Sequence, residues 1–187
     1  MADQTQAQVV LPQRFIEAAQ AHGERGLPPV ERWNPPYCGQ IDMKIARDGR
    51  WFYMGTPIGR PALVRLFSTI LRNDDGQHVL VTPVERVGIV VEDAPFLAVE
   101  MEWSGESLVF RTNLDDVVVA DAVHPLRFVL EPGGGLKPYV KVRGDLWALL
   151  TRSLAQALIE RIEENGQGQS GIASGGAFFP LPEEAYA

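Results

Sequence analysis

The chain has 187 residues, 45% of them apolar, and a formal net charge of −7 from 24 acids against 17 lysines and arginines. That length allows one large domain or two small ones sharing a core. The acidic balance argues against indiscriminate binding to nucleic acid or anionic membrane, which needs a clustered positive surface, but leaves room for local basic pockets.

The single cysteine, Cys38, has no cysteine to pair with, so no internal disulfide is expected. The opening MADQTQAQVV lacks the basic and apolar regions of a signal peptide, and no apolar run approaches membrane-spanning length. The expected compartment is the cytoplasm, with no membrane insertion.

Residues 1–32 read as a polar start, a short helix over Pro12–His22 and the beginning of a proline-rich lead-in. From Ile41 to Ile45, apolar and polar residues alternate as in a half-buried strand. Arg47-Asp48-Gly49 is turn chemistry, and Trp51-Phe52-Tyr53 is a second strand. Arg60-Pro61 opens a helix whose stripe is Leu63, Leu66, Phe67, Ile70 and Leu71, and Asn73–Gly76 is read as its stop. Strands are then predicted at His78–Pro83 and Arg86–Val91, with a hairpin of Phe96–Trp103 and Glu106–Thr112 turning at Ser104-Gly105. Val117–Val119, Leu126–Leu130 and Tyr139–Arg143 continue the strands, and Pro132–Lys137 is a glycine loop.

A long closing helix is predicted from Leu146 to about Glu164, with Asp145 as N-cap and a buried side of Leu146, Leu149, Leu150, Leu154, Ala157, Leu158 and Ile162. Residues 165–187 read as a flexible tail ending in AFFPLPEEAYA. That ending is open to docking on the body of the protein, docking on a partner, or disorder. The expected class is α+β, in two small strand-and-helix halves over 33–84 and 85–164. Ala62-Leu63-Val64 and Ala148-Leu149-Leu150, each with an arginine nearby, hint at a duplication.

Catalytic signatures do not assemble. The three histidines are scattered, no G-x-S-x-G elbow occurs, and the glycine run at 133–135 lacks the Gly-Lys-Ser/Thr ending of a phosphate loop. No metal or cofactor is expected. What remains is binding chemistry at strand ends and helix starts. Arg47, Arg60 and Arg143 offer guanidinium forks suited to an anion, and Arg60 stands where helix N–H groups also favour one. Asp48, Thr82, Glu85, Asn113 and Tyr139 are polar partners at turns and strands, and Trp51 offers a stacking ring. Alternation puts Tyr139, Lys141 and Arg143 on one strand face.

The stretches IDMKIARDGRWFYMGTPIGRPALVRLFSTIL, LVTPVERVGIVVEDAPFLAVEM, FRTN and PYVKVRGDLWALLTRSL resemble an uncharacterised bacterial family, domain of unknown function 1285, from about Trp33 to Ile159. The resemblance implies a duplicated core whose second half is pleckstrin-homology-like. It also implies a pocket for a nucleotide-like ligand at the interface of the halves, and a role in signal transduction. No catalytic residue comes with it, and the tail lies outside it. The reading is a non-catalytic binding or sensor protein for an anionic small molecule. The alternatives are a protein-interaction module, with a partner docking on the pleckstrin-like half or the tail, and an enzyme acting on a phosphorylated substrate.

Overall fold

The computed structural model describes residues 26–183, so the helix expected over Pro12–His22 lies outside the described residues. The described chain divides after Glu92 into two compact units. Each is built on a six-stranded sheet.

In the N-terminal unit, a 3-10 turn at Val30–Arg32 leads into β1 (Tyr37–Ile45). β2 (Trp51–Tyr53) returns antiparallel, with Ile45 opposite Trp51. The turn between them forms as predicted: Gly49 has φ +79°, and Asp48 Oδ1 accepts the Arg50 N–H at 3.1 Å. β3 (Thr56–Pro57) is followed by α1 (Pro61–Thr69), with proline in its first turn. The helix is shorter than its apolar stripe implies, because Leu71 already belongs to β4 (Leu71–Asp74). Asp75 (φ +51°) and Gly76 (φ +94°) turn β4 into β5 (Gln77–Val81). Two left-handed residues are what a tight two-residue hairpin loop requires. Asn73–Gly76 therefore makes a hairpin, not a helix stop.

β6 (Arg86–Val91) pairs antiparallel with β5 and parallel with β1, giving the order β3-β2-β1-β6-β5-β4. This pairing places residues 86–91 in the first unit, although the sequence reading assigned them to the second. Met43, Ile45, Trp51, Phe67, Ile70 and Leu80 are among the residues of its core. Arg72 ties the lead-in to the sheet: Nη1 donates to Val30 O and Trp33 O, both at 2.7 Å, and Nε to Asp74 Oδ1 at 2.5 Å.

The C-terminal unit begins with the expected hairpin, β7 (Phe96–Ser104) and β8 (Ser107–Thr112), turned at Gly105 with φ +60°. β9 (Val117–Val119), β10 (Leu126–Leu130) and β11 (Leu136–Arg143) follow. Residues 146–150 then form β12 (Leu146–Leu150), not the start of a long helix. Leu146, Ala148 and Leu150 are buried while Trp147 and Leu149 are half-buried, a period of two. Leucines at 146, 149, 150 and 154 satisfy a helical stripe only because both faces of β12 carry apolar residues. Asp145 is no helix cap; it accepts the Trp147 Nε1–H at 3.0 Å. The helix is α2 (Arg152–Ile159), eight residues long, set on the sheet through the buried Leu158.

The second sheet runs β10-β11-β12-β7-β8-β9, with β12 and β7 parallel. Numbered within each unit, both sheets read third, second, first, sixth, fifth, fourth. The short sequence match fares differently: Ala62–Val64 lies in α1 and Ala148–Leu150 in β12, so they are not equivalent. The fold is two sheet-dominated halves carrying two α-helices among the described residues, more β-rich than expected.

Residues 163–180 also depart from the flexible-tail reading. β13 (Glu163–Glu164), β14 (Ser170–Ser174) and β15 (Ala177–Pro180) form a third sheet, with Ile172 and Phe179 buried. The buried Ser174 hydroxyl donates to Ala120 O at 2.7 Å and accepts the Leu108 N–H at 2.8 Å, which fixes this sheet to the unit. A side chain at Gly171 would place a Cβ 2.3 Å from Phe179 O, so only glycine fits there. Among the described residues, no helix is long and apolar enough to cross a membrane.

Candidate functional site

The residues singled out from sequence divide between the two units. In the N-terminal unit, Arg47 is exposed, and its backbone N–H donates to Glu92 Oε2 at 3.2 Å. Asp48 is taken by Arg50, whose Nε lies 2.6 Å from Oδ2; the Arg50 backbone N–H, then its side chain, hold the carboxyl below its ordinary range. Trp51 is only 2% exposed and stacks on Phe67 at 6.5 Å, so its ring belongs to the core. Arg60 is exposed at the start of α1, and its side chain caps nothing. The Thr82 hydroxyl is buried in its own turn: it donates to Glu85 O at 3.2 Å and accepts the N–H groups of Val84 and Glu85. Thr82 and Glu85 thus shape the bend before β6.

In the C-terminal unit, Asn113 is a loop clasp. Its Oδ1 accepts the Leu97 N–H at 3.0 Å, and its own N–H donates to Leu97 O at 2.9 Å. The Tyr139 hydroxyl donates to Asp93 Oδ1 at 2.7 Å; burial, then that bond, pushes the phenol up to about 12. Lys137 Nζ holds Asp93 at 2.8 Å and Glu131 at 3.0 Å.

Arg143 is ion-paired with Asp116, and its guanidinium lies 4.9 Å from the Phe96 ring centroid. Burial draws its pKa down against the attraction of Asp116. The sequence reading put Arg143 on one face with Tyr139 and Lys141, but the register breaks between Lys141 and Arg143. Lys141 faces Trp147, whereas Arg143 faces the buried Leu146. A bulge of one extra residue shifts the side chains beyond it to the other face.

The same register assembles a group that sequence reading did not. On the sheet face away from Leu126, Val140 and Ala148, Arg127 pairs across β10 and β11 with the buried Tyr139, and Lys141 pairs across β11 and β12 with Trp147. The Arg127 guanidinium lies 4.4 Å from the Trp147 ring centroid and 5.1 Å from that of Tyr139. Lys141 Nζ lies 6.0 Å from the same indole. Among the described residues, neither cation has a carboxylate within 4.0 Å, whereas Arg50, Arg72, Arg86, Arg111 and Lys137 all do. The signal was present in sequence as two alternating segments, LRFVL and LWALL, but it becomes readable only once Trp147 is on a strand.

An open groove of about 640 Å³ lies elsewhere in the unit, lined by Trp103, Glu106, Glu163 and Phe178 among others. Among the described residues, no group of three or more His, Cys, Asp or Glu side chains is arranged to hold a metal ion.

Two family models match consecutive parts of the chain: the N-terminal domain of DUF1285, a domain of unknown function, over residues 28–94, and its C-terminal domain over 95–181. The chain belongs to the DUF1285 family. The boundary between the DUF1285 models falls beside the division after Glu92. The second model also takes in residues 165–181, which the sequence resemblance had left out. A DUF1285 protein from Silicibacter pomeroyi DSS-3, with a crystal structure at 2.50 Å resolution, is 47% identical; the match covers 92% of this chain and 98% of that one, with a TM-score of 0.82. Another, from Shewanella baltica OS155 at 1.40 Å resolution, is 28% identical over 64% of this chain and 91% of that one, with a TM-score of 0.52. No curated protein matches the chain.

Proposed function

We propose that this DUF1285 protein is a non-catalytic binding or sensor protein for an anionic, nucleotide-like small molecule, acting in bacterial signal transduction. One observation carries the reading. In a chain with a net charge of −7, Arg127 and Lys141 stand beside one indole, and among the described residues neither cation has a carboxylate within 4.0 Å. Cations set on aromatic faces and left without an acid are suited to an incoming anion. The fold reading that goes with it is a duplication, supported by the identical strand order of the two sheets. The C-terminal half is read as pleckstrin-homology-like, supported by two three-stranded meanders followed by a helix.

The test is a thermal-shift panel of nucleotides and inorganic anions on the full chain. A ligand at a hundred times its Kd stabilises by about 2.7 kcal/mol, a readily measured rise in Tm. The absence of any shift across the panel overturns the proposal.

A protein-interaction module is the second reading. It is favoured by β9, an edge strand whose Val117 and Val119 are 63% and 38% exposed. Such an edge can accept a strand from a partner. Val117→Lys then abolishes co-purification of a partner that the unaltered chain retains; equal retention by both removes this reading.

A further inference from the structure

We infer that the Arg127–Trp147–Lys141 face of the C-terminal sheet binds the diphosphate group of its ligand, two linked phosphoryl groups rather than one. The inference rests on the anion-binding reading above and adds the site and the class of ligand.

Two full positive charges share one aromatic ring, at 4.4 Å and 6.0 Å from its centroid. They come from different strands, β10 and β11, so the sheet register holds them apart as two separate donors. Each lacks a carboxylate within 4.0 Å, and the Arg127 guanidinium makes no hydrogen bond among the described residues. The rings of Tyr139 and Trp147 hold the guanidinium and leave its N–H edge for the ligand. A guanidinium fork engages two oxygens of one phosphoryl group, while an ammonium acts as a point charge on the next.

The position of Tyr139 is itself fixed, since its hydroxyl is bonded to Asp93, which Lys137 also holds. The cationic face is therefore mounted on an anchored ring. The carboxylates beside that group are engaged: Asp93 and Glu131 by Lys137 Nζ, and Asp145 by the Trp147 indole N–H at 3.0 Å.

The experiment follows the indole N–H resonances of the 15N-labelled full chain during titration with inorganic pyrophosphate, with orthophosphate as the comparison. The chain has four tryptophans, and loss of one signal in Trp147→Phe assigns the reporter. Pyrophosphate is expected to move the Trp147 signal and to bind at least about tenfold more tightly than orthophosphate, with Arg127→Ala and Lys141→Ala each weakening it by about tenfold.

Equal affinity for the two anions overturns the diphosphate assignment. Pyrophosphate that stabilises the protein while the Trp147 signal stays still overturns the site and leaves the anion-binding reading standing. Failure of every anion and nucleotide to bind overturns both. Because Arg127 is exposed and Lys141 half-buried, unchanged melting of the unliganded variants separates lost binding from lost folding.

Discussion

Ser174→Ala tests whether residues 163–180 are a structural part of the C-terminal unit. The hydroxyl is buried, with the residue 2% exposed, and it joins β14 to β8 and to the residue that follows β9. It accepts the Leu108 N–H and donates to the carbonyl of Ala120, and both of those residues are fully buried. Removing it leaves one buried donor unpaired and takes one bond from a buried acceptor. The unpaired donor costs about 1–3 kcal/mol and the acceptor's lost bond about 1 kcal/mol, so a total of about 2–4 kcal/mol is expected. For a chain of this size, that lowers Tm by about 4–16 °C. Differential scanning calorimetry reads the shift, with the exposed Ser104→Ala as a control expected to change stability by less than about 0.5 kcal/mol. Hydrogen exchange provides the local readout, as amides of 170–174 and 177–180 should lose protection in the variant. A Tm within 1–2 °C of the parent, roughly the size of a surface substitution, together with rapid exchange over 170–180 in the parent itself, would refute the reasoning.

Other outcomes follow from groups in either unit. Among the described residues, the buried Trp51 indole N–H has no hydrogen-bond partner. Trp51→Phe should therefore cost less than about 1.5 kcal/mol in urea unfolding, because relief of the unpaired donor offsets lost packing, while Trp51→Ala should cost about 3–5 kcal/mol. The Asp74 carboxyl is held below its ordinary value of 3.8, first by the hydrogen bond from Arg72 and then by Arg86. A depressed folded pKa gives stability that is complete above 3.8 and lost as pH falls through the folded value. An acid series of urea midpoints should show that loss, and Asp74→Asn should flatten it. The Tyr139 phenol, raised to about 12 from 10.0, contributes stability that is complete below 10.0 and lost as pH rises toward 12. Ultraviolet titration should show one late-ionising phenol that Tyr139→Phe removes.

Much of the sheet architecture was legible in local chemistry. Ile41–Ile45, Trp51–Tyr53 and the Gly105 hairpin follow from alternation and turn residues alone. Residues 146–150 were not legible, because a strand with apolar residues on both faces carries a helical stripe as well as an alternating one. Asp75-Gly76 was visible as a turn, but whether a helix or a strand enters it depends on the partner strand β5. Site residues were harder. Arg143 leaves the face predicted for it through a single bulged residue, and no side-chain pattern in sequence marks that insertion. Arg127 and Trp147 lie two strands apart, so their meeting is a property of register, which only the assembled sheet defines. Glycine and serine in 165–176 read as a linker, yet Gly171 is a steric requirement and Ser174 a buried clasp.

In each sheet the first strand is zipped to the last, β1 to β6 and β7 to β12. During synthesis, an emerging half can form two separate meanders, but their inner borders stay open until its sixth strand has left the ribosome. Closure then spans most of the half's contour, a distant pairing of the kind that slows folding. A nascent chain halted just short of Arg86 would hold most of the core, without Val87 and Ile89, and would lack the strand that joins its two parts.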